Sequence, residues 1–465
     1  MEIDILVAEI GSTTTKVNAF NFDSNNNLLY LGRGESITTV EDGDVTIGLY
    51  KAIKEIESNL NIKKLLWSDF YTSSSAAGGL RMSVHGLVKE MTVKAANEAA
   101  LGAGAVVKMV TAGILSKYDL DSLIKLNPNI IILSGGVDYG EKETVINNAK
   151  FISEAPLFSP IIYAGNIAVA DEVEHILKSA NKKVYVVDNV YPNIDELNVK
   201  PAREIIQKVF EEHIVKAPGM EKLRDMVDQA ILPTPGAVMK ISSLLADEIG
   251  DLIVIDIGGA TTDVHSITDG SPSIQQITIS PEPHSKRTVE GDLGVFYNAE
   301  NIIKIVDKKI FNEINIEDVD VFRSKVKQIP QDKKQKKYYE ILGKAAAKKA
   351  VERHAGKIKE LFSPTGRKNI AKGKDLTAIK YIIGTGGVLV RNPGGKKILE
   401  SIKSDATATE ILTKAKILPS QILLPSKDAN ILIESLYLFS SIGCLCDKYP
   451  EQSIKLAKQS IDLKI

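Results

Sequence analysis

The sequence predicts an α/β protein built on a duplicated scaffold, with a further parallel sheet inserted in its first half. Three observations carry that expectation. Leu252–Ser266, LIVIDIGGATTDVHS, reads as strand, tight turn, strand. Ile5–Phe22, ILVAEIGSTTTKVNAFNF, has the same grammar near the N-terminus. Between about Asn129 and Asp188, short apolar strands alternate with helical stretches, which implies a parallel sheet.

Each element has a chemical reading. The first hairpin runs from an apolar strand to Glu9, then Gly11, then hydroxyls from Ser12 to Thr15. The second ends its strand at Asp256, turns at Gly258 and Gly259, and adds Thr261, Thr262 and a second carboxylate, Asp263. Glycines without side chains let backbone N–H groups cradle a phosphate. A strand-end carboxylate can hold magnesium through water. Two such turns in one chain suggest a duplicated scaffold facing one nucleotide. A third turn, Gly384-Thr385-Gly386-Gly387, follows another apolar strand and can take a flat base and ribose against bare backbone.

Bulk properties narrow the class. At 465 residues, with 44% hydrophobic and 25% charged, the chain is an ordinary soluble composition long enough for at least two cores. A net charge of −1 gives no basic surface of the kind nucleic-acid binders need. No apolar run reaches the roughly 20 residues that span a bilayer. The opening MEIDIL enters a strand directly and does not read as a signal peptide, so no membrane role and a cytoplasmic location are expected. Cys444 and Cys446 stand i, i+2 in an apolar, helix-like run and read as core residues; they exclude a disulfide framework.

Along the chain, residues 1–75 are expected to hold the first part of the first half. Residues 76–250 form the inserted region and the return, and 251–465 the second half. Strands are expected at Ile130–Leu133, Ile161–Tyr163 and Val184–Val187, with helices at about Glu141–Ile152 and Ala170–Ala180. Ala95–Val107 and Asn430–Cys446 read as helices, and the lysine-rich stretch from about Asn298 to Lys374 as mostly helical. Ser73–Gly79 reads as an anion-binding turn or an ordinary loop. The ends of the parallel strands are where such sheets bind ligands.

The order and spacing of the three turns resemble the actin, sugar-kinase and seventy-kilodalton heat-shock chaperone superfamily of ATPases. The resemblance implies two actin-like (ribonuclease H-like) halves facing a nucleotide cleft, with ATP and magnesium bound there. It assigns phosphate binding to Gly11, Ser12, Thr13 and Thr14 on one side, and to Gly258, Gly259 and Thr261 on the other. Glu290 and Gly291, in the run VEGDLG, match a segment near the nucleotide, and Gly384, Thr385, Gly386 and Gly387 match the adenosine turn. Asp256, Asp263 and Glu9 would position metal and water, with Asp256 and Glu9 on the metal side. Superfamily members usually start the first motif with Asp; Glu9 is one methylene longer, which bears on hydrolysis more than on binding. A narrower match exists. VAEIGSTTTKVNAF, SSSAAGGLRM, LSGGVDYG and VIDIGGATTDVHS together resemble the GlmL/MutL family, accessory proteins of glutamate mutase and related cobalamin-dependent mutases and aminomutases. That implies an ATP-dependent reactivating chaperone, with mutase subunits as its protein partner. The superfamily fold also admits a small-molecule kinase of the sugar or acetate kinase type, or a nucleotide-binding scaffold with little turnover.

Overall fold

The computed structural model describes residues 1–463 apart from 12–13, 41, 76–79, 215–219, 228, 307–309, 311–322, 325, 328–329, 331, 364–365 and 416–420. It divides into two compact units: Met1–Ile241 with Ser440–Leu456, and Ser242–Phe439 with Ala457–Ile465. No helix among the described residues is long and apolar enough to cross a membrane.

The first unit opens with β1 (Glu2–Ile10), β2 (Thr14–Phe22) and β3 (Leu28–Ile37) as an antiparallel meander. Helix Val45–Asn59 follows. Asp44 caps it by accepting from Thr46 N at 2.9 Å. Its Leu49, Ala52 and Ile56 lie at helical spacing and are fully buried. β4 (Leu66–Ser74) then pairs in parallel with β1.

The chain leaves this sheet to build β5 (Arg81–Gly86), β6 (Val106–Ala112), β7 (Ile130–Leu133), β8 (Ile161–Tyr163) and β9 (Val184–Val186). These form a wholly parallel sheet in the order β6-β5-β7-β8-β9. Both of its faces are covered, as parallel sheets require. Ile130, Ile132 and Ile162 enter one core, and Ile131, Leu133 and Ile161 another. The chain returns through β10 (Leu232–Pro233), parallel to β4, which completes the order β10-β4-β1-β2-β3.

The second unit repeats that plan. β11 (Leu252–Ile257), β12 (Thr262–Ile267) and β13 (Ser285–Glu290) form a meander. β14 (Lys357–Ser363) and β15 (Gly366–Lys372) make a hairpin outside the main sheet. β16 (Tyr381–Thr385) pairs in parallel with β11, β17 (Gln421–Ile422) joins β14, and β18 (Asn430–Ile433) runs parallel to β16. The two five-stranded mixed sheets thus share strand order and strand sense.

Three expectations need correction. Ala95–Val107 is helical only over Lys94–Gly102; β6 begins at Val106, after Gly104 has taken a φ of +95° that ends the helix. The lysine-rich helix, Lys333–His354, ends where Ala355 turns extended, and KIKELF beyond it is β14, where alternation rather than helical spacing buries Ile358. Asn430–Cys446 is β18 followed by helix Phe439–Leu445. Its run NILI is a half-buried strand beside β16. The two cysteines are buried, and burial pushes the Cys446 thiol up to about 12.

Candidate functional site

Each mixed sheet ends its first strand in the same device. In the first unit β1 ends with Glu9-Ile10, and the Gly11 N–H donates to Thr14 O at 3.0 Å. A Cβ on Gly11 would lie 2.6 Å from that oxygen, so the turn admits only glycine. In the second unit β11 ends with Asp256-Ile257, and the Gly258 N–H donates to Thr261 O at 2.9 Å. The registers agree as well. Glu9 sits opposite Lys16 across the hairpin and beside Ser73 of β4. Asp256 sits opposite Asp263 and beside Thr385 of β16.

The two turns differ in charge. Glu9 is 9% exposed; it accepts from Lys16 Nζ at 3.1 Å and from Ser440 Oγ at 2.6 Å. Thr38 Oγ1 donates to Gly11 O at 2.9 Å and steadies the loop from the side. Thr14 opens β2, while Ser12 and Thr13 lie outside the described residues. In the second unit a carboxylate, Asp263, stands where the first has Lys16. Two like charges directly opposite each other are unfavourable. Arg287, 2% exposed, answers this by donating to Asp263 Oδ1 through Nη2 at 2.6 Å and Nε at 3.1 Å. Thr261 Oγ1 donates to the other Asp263 oxygen at 2.9 Å.

The remaining second-unit residues gather around this turn. Gly386 is so close that a Cβ there would meet Asp256 Oδ1 at 2.3 Å. Residues 290–298 clasp the loop: Val295 N donates to Gly258 O, Phe296 N to Gly259 O, and Asn298 Nδ2 to both Ala260 O and Gly291 O. Glu290 sits beside Thr262 in the ladder, and burial raises its carboxyl above the usual range. Arg353 holds Glu290 at 2.5 Å and Asp292 at 2.7 Å, and it keeps the Asp292 carboxyl below its ordinary value. Asp256, Gly258, Gly259, Thr261, Asp263, Glu290, Gly291 and the Gly384–Gly387 turn therefore share one end of one sheet. Glu9, Gly11 and Thr14 occupy the matching end of the other.

Glu434 is a participant that no local pattern reveals. It is fully buried and accepts from Thr385 Oγ1 at 2.9 Å, from Ser460 Oγ and from Leu438 N, so it ties the Gly384–Gly387 turn to two later segments. Burial pushes its carboxyl up to about 7, against the lowering pull of those hydrogen bonds. The folded chain therefore keeps a proton that the unfolded chain gives up near 4.5, and Glu434 costs stability as pH rises through that window. Buried His85, His265 and His354, with lowered pKa, act in the opposite sense. The thermal midpoint of Glu434→Gln relative to the parent should therefore rise between about pH 5 and about pH 8. A difference that stays flat across that range would contradict this account.

Among the described residues no three His, Cys, Asp or Glu side chains are grouped to hold a metal ion. A magnesium ion arriving with a nucleotide needs only one or two carboxylates, because phosphate oxygens and water supply the rest. Asp256, at the strand end beside the bare turn, fits that lesser requirement.

Comparison with known proteins adds four findings. The family profile described as MutL protein matches residues 5–461. Protein MutL of Clostridium tetanomorphum is 37% identical over 470 residues, spanning 98% of each chain. Among solved structures, a diol dehydratase-reactivating factor in nucleotide-free form aligns over 96% of this chain and 100% of its own at 11% identity, with a TM-score of 0.36. A glycerol dehydratase reactivase aligns over 96% and 100% at 10% identity, with a TM-score of 0.30. At those scores the structural likeness carries no argument.

Proposed function

The chain belongs to the MutL protein family, and from that premise and the repeated strand-end turn we propose that it is an ATP-dependent reactivating chaperone for an adenosylcobalamin-dependent mutase of the glutamate mutase or aminomutase type. The carrying observation is the shared register of Glu9-Ile-Gly11 and Asp256-Ile-Gly258, each a glycine turn closed by an N–H to Thr O bond. In this reading two actin-like halves face one nucleotide. The turns at Gly11 and Gly258 offer backbone amides to phosphates. Thr14 and Thr261 add hydroxyls, and the Gly384–Gly387 turn takes adenosine. Asp256 would hold magnesium, and Asp263, fixed by Arg287, orients the turn. Magnesium would neutralise charge on the β- and γ-phosphates. Loss of the γ-phosphate would change how these turns are held, and that change would loosen damaged cobalamin in a bound mutase.

A second reading, a nucleotide-binding scaffold with little turnover, is favoured by one observation. The Glu9 carboxylate is already engaged by Lys16 and Ser440. The test is to add the chain to a mutase inactivated with its cobalamin in place. Recovery should require ATP, magnesium and fresh adenosylcobalamin together. Recovery with a non-hydrolysable ATP analogue would favour the scaffold, and no recovery under any condition would reject the reactivating role.

A further inference from the structure

The parallel sheet of the first unit takes no part in the repeated turns, yet its carboxyl-terminal end is where open α/β sheets bind their ligands. A small molecule has little room there. A Cβ on Gly165 would lie 2.4 Å from Gly135 N, and one on Gly136 would lie 2.9 Å from Glu141 O, so the chain's own backbone fills the crevice. What the loops present outward is apolar. Ile114 after β6 is 65% exposed, Tyr139 after β7 79%, Ile167 after β8 55% and Ile194 after β9 73%. A single exposed apolar residue is ordinary, but one at the same end of four strands of one sheet marks a contact surface.

The loops are also fixed in place. Tyr139 N donates to Asn166 Oδ1, Ile167 N to Asp138 Oδ1, and Asp138 N to Pro192 O, each at 2.9 Å. Asn189 Nδ2 donates to the same Asp138 oxygen at 2.9 Å. Tyr139 is held at a φ of +61°, a left-handed conformation that is costly for a bulky side chain. An aromatic kept both strained and exposed earns nothing for folding. Around it the charge is one-sided: exposed Glu141 and Glu143, Asp171 and Glu172, and Asp195 and Glu196 flank three of the loops, against Lys142 as the one basic residue in 134–143, 164–172 and 187–196.

We propose that this end of the parallel sheet docks a protein partner whose contact face is apolar at its centre and basic at its margin. The acidic border repels nucleic acid and anionic membrane surfaces. It also disfavours a second copy of this chain, because an isologous contact would set carboxylate against carboxylate. Naming that partner as a mutase subunit rests on the proposed function.

The test measures binding of the full chain to purified mutase subunits by calorimetry, at low and high salt. Tyr139→Asn removes the aromatic while keeping a residue that tolerates a positive φ, and Ile194→Ser removes an apolar anchor. Each should weaken binding by about 10-fold or more, as truncation of a central anchor does, with ATP turnover unchanged and a thermal midpoint no lower than the parent's. Asp188→Lys, at an exposed carboxylate of the same loop after β9, should weaken it less and reduce its salt dependence. Variants that bind as well as the parent would overturn the docking surface while leaving the reactivating role standing. A parent chain that reactivates no mutase and binds none of its subunits would overturn both.

Discussion

Replacing Arg287 by Met should destabilise the second unit by about 3–5 kcal/mol, because it strands a buried carboxylate without its counter-charge. Arg287 is 2% exposed and Asp263 8%, and the guanidinium makes two bonds to one Asp263 oxygen. Asp263 also stands opposite Asp256 in the ladder, so removing the cation leaves two carboxylates facing each other. Arg287→Lys keeps the charge but loses the forked geometry, so its loss should be smaller. The double variant Arg287→Met with Asp263→Asn should recover part of the loss, since no charge is then left buried. Urea or guanidinium unfolding measures all three. An Arg287→Met variant within about 1 kcal/mol of the parent would show that the pair is solvated in solution, and the electrostatic account of this turn would be wrong.

The second large effect is expected at Gly386. Its φ of +85° and ψ of +154° fall in a region that only glycine occupies readily. A Cβ there would meet Asp256 Oδ1 at 2.3 Å and Ile257 O at 2.7 Å. Gly386→Ala must therefore either shift the turn or displace the Asp256 carboxylate, at a conformational cost of about 1–3 kcal/mol before the clash is counted. On the proposed function, affinity for a fluorescent ATP analogue should fall by at least about 10-fold, the equivalent of 1.4 kcal/mol. The neighbouring Gly387→Ala adds a methyl to the same turn without touching the rest of the protein. Nothing lies within 4 Å of its Cβ position, and the residue opens a short helix. A thermal midpoint for Gly386→Ala no lower than that of Gly387→Ala would mean that the close approach to Asp256 costs nothing, and the account of this turn would be wrong.

Much of the scaffold was legible because local chemistry and final structure agree. Ile130–Leu133 and Ile161–Tyr163 are short aliphatic runs bounded by turn residues, and both are strands. The two glycine hairpins were legible because alternation, a carboxylate and a bare turn coincide within one segment. The failures lie where the deciding partner is distant. β5, RMSVHG, is too polar to read as a buried strand; His85 is buried there because Ser83 and Thr111 satisfy its two ring nitrogens. β10 is a two-residue strand that includes Pro233, and only the open edge of β4 reveals it. In the candidate site the carboxylates and glycines could be named from sequence. The distant partners that hold them could not, since the Arg287 cation reaches Asp263 across a strand pair and the buried Glu434 carboxyl accepts from Thr385 across the sheet. Lys16 left one trace: it sits at the same offset from Glu9 as Asp263 does from Asp256.

The first unit is not contiguous in the gene product. Glu9 accepts from Ser440, Asn18 donates to Ser441, and Asp69 accepts from Lys448. The opening hairpin therefore waits, while the ribosome works, for a segment made 431 residues later. At about 5–20 residues per second that delay is roughly 20–90 s. Throughout it, a buried glutamate and asparagine of the earliest strands lack partners that only the last stretch of the chain supplies. A polypeptide cut anywhere before Ser440 still holds every strand of its first sheet, but its Glu9 and Asn18 are left without the serine hydroxyls that meet them in the finished fold.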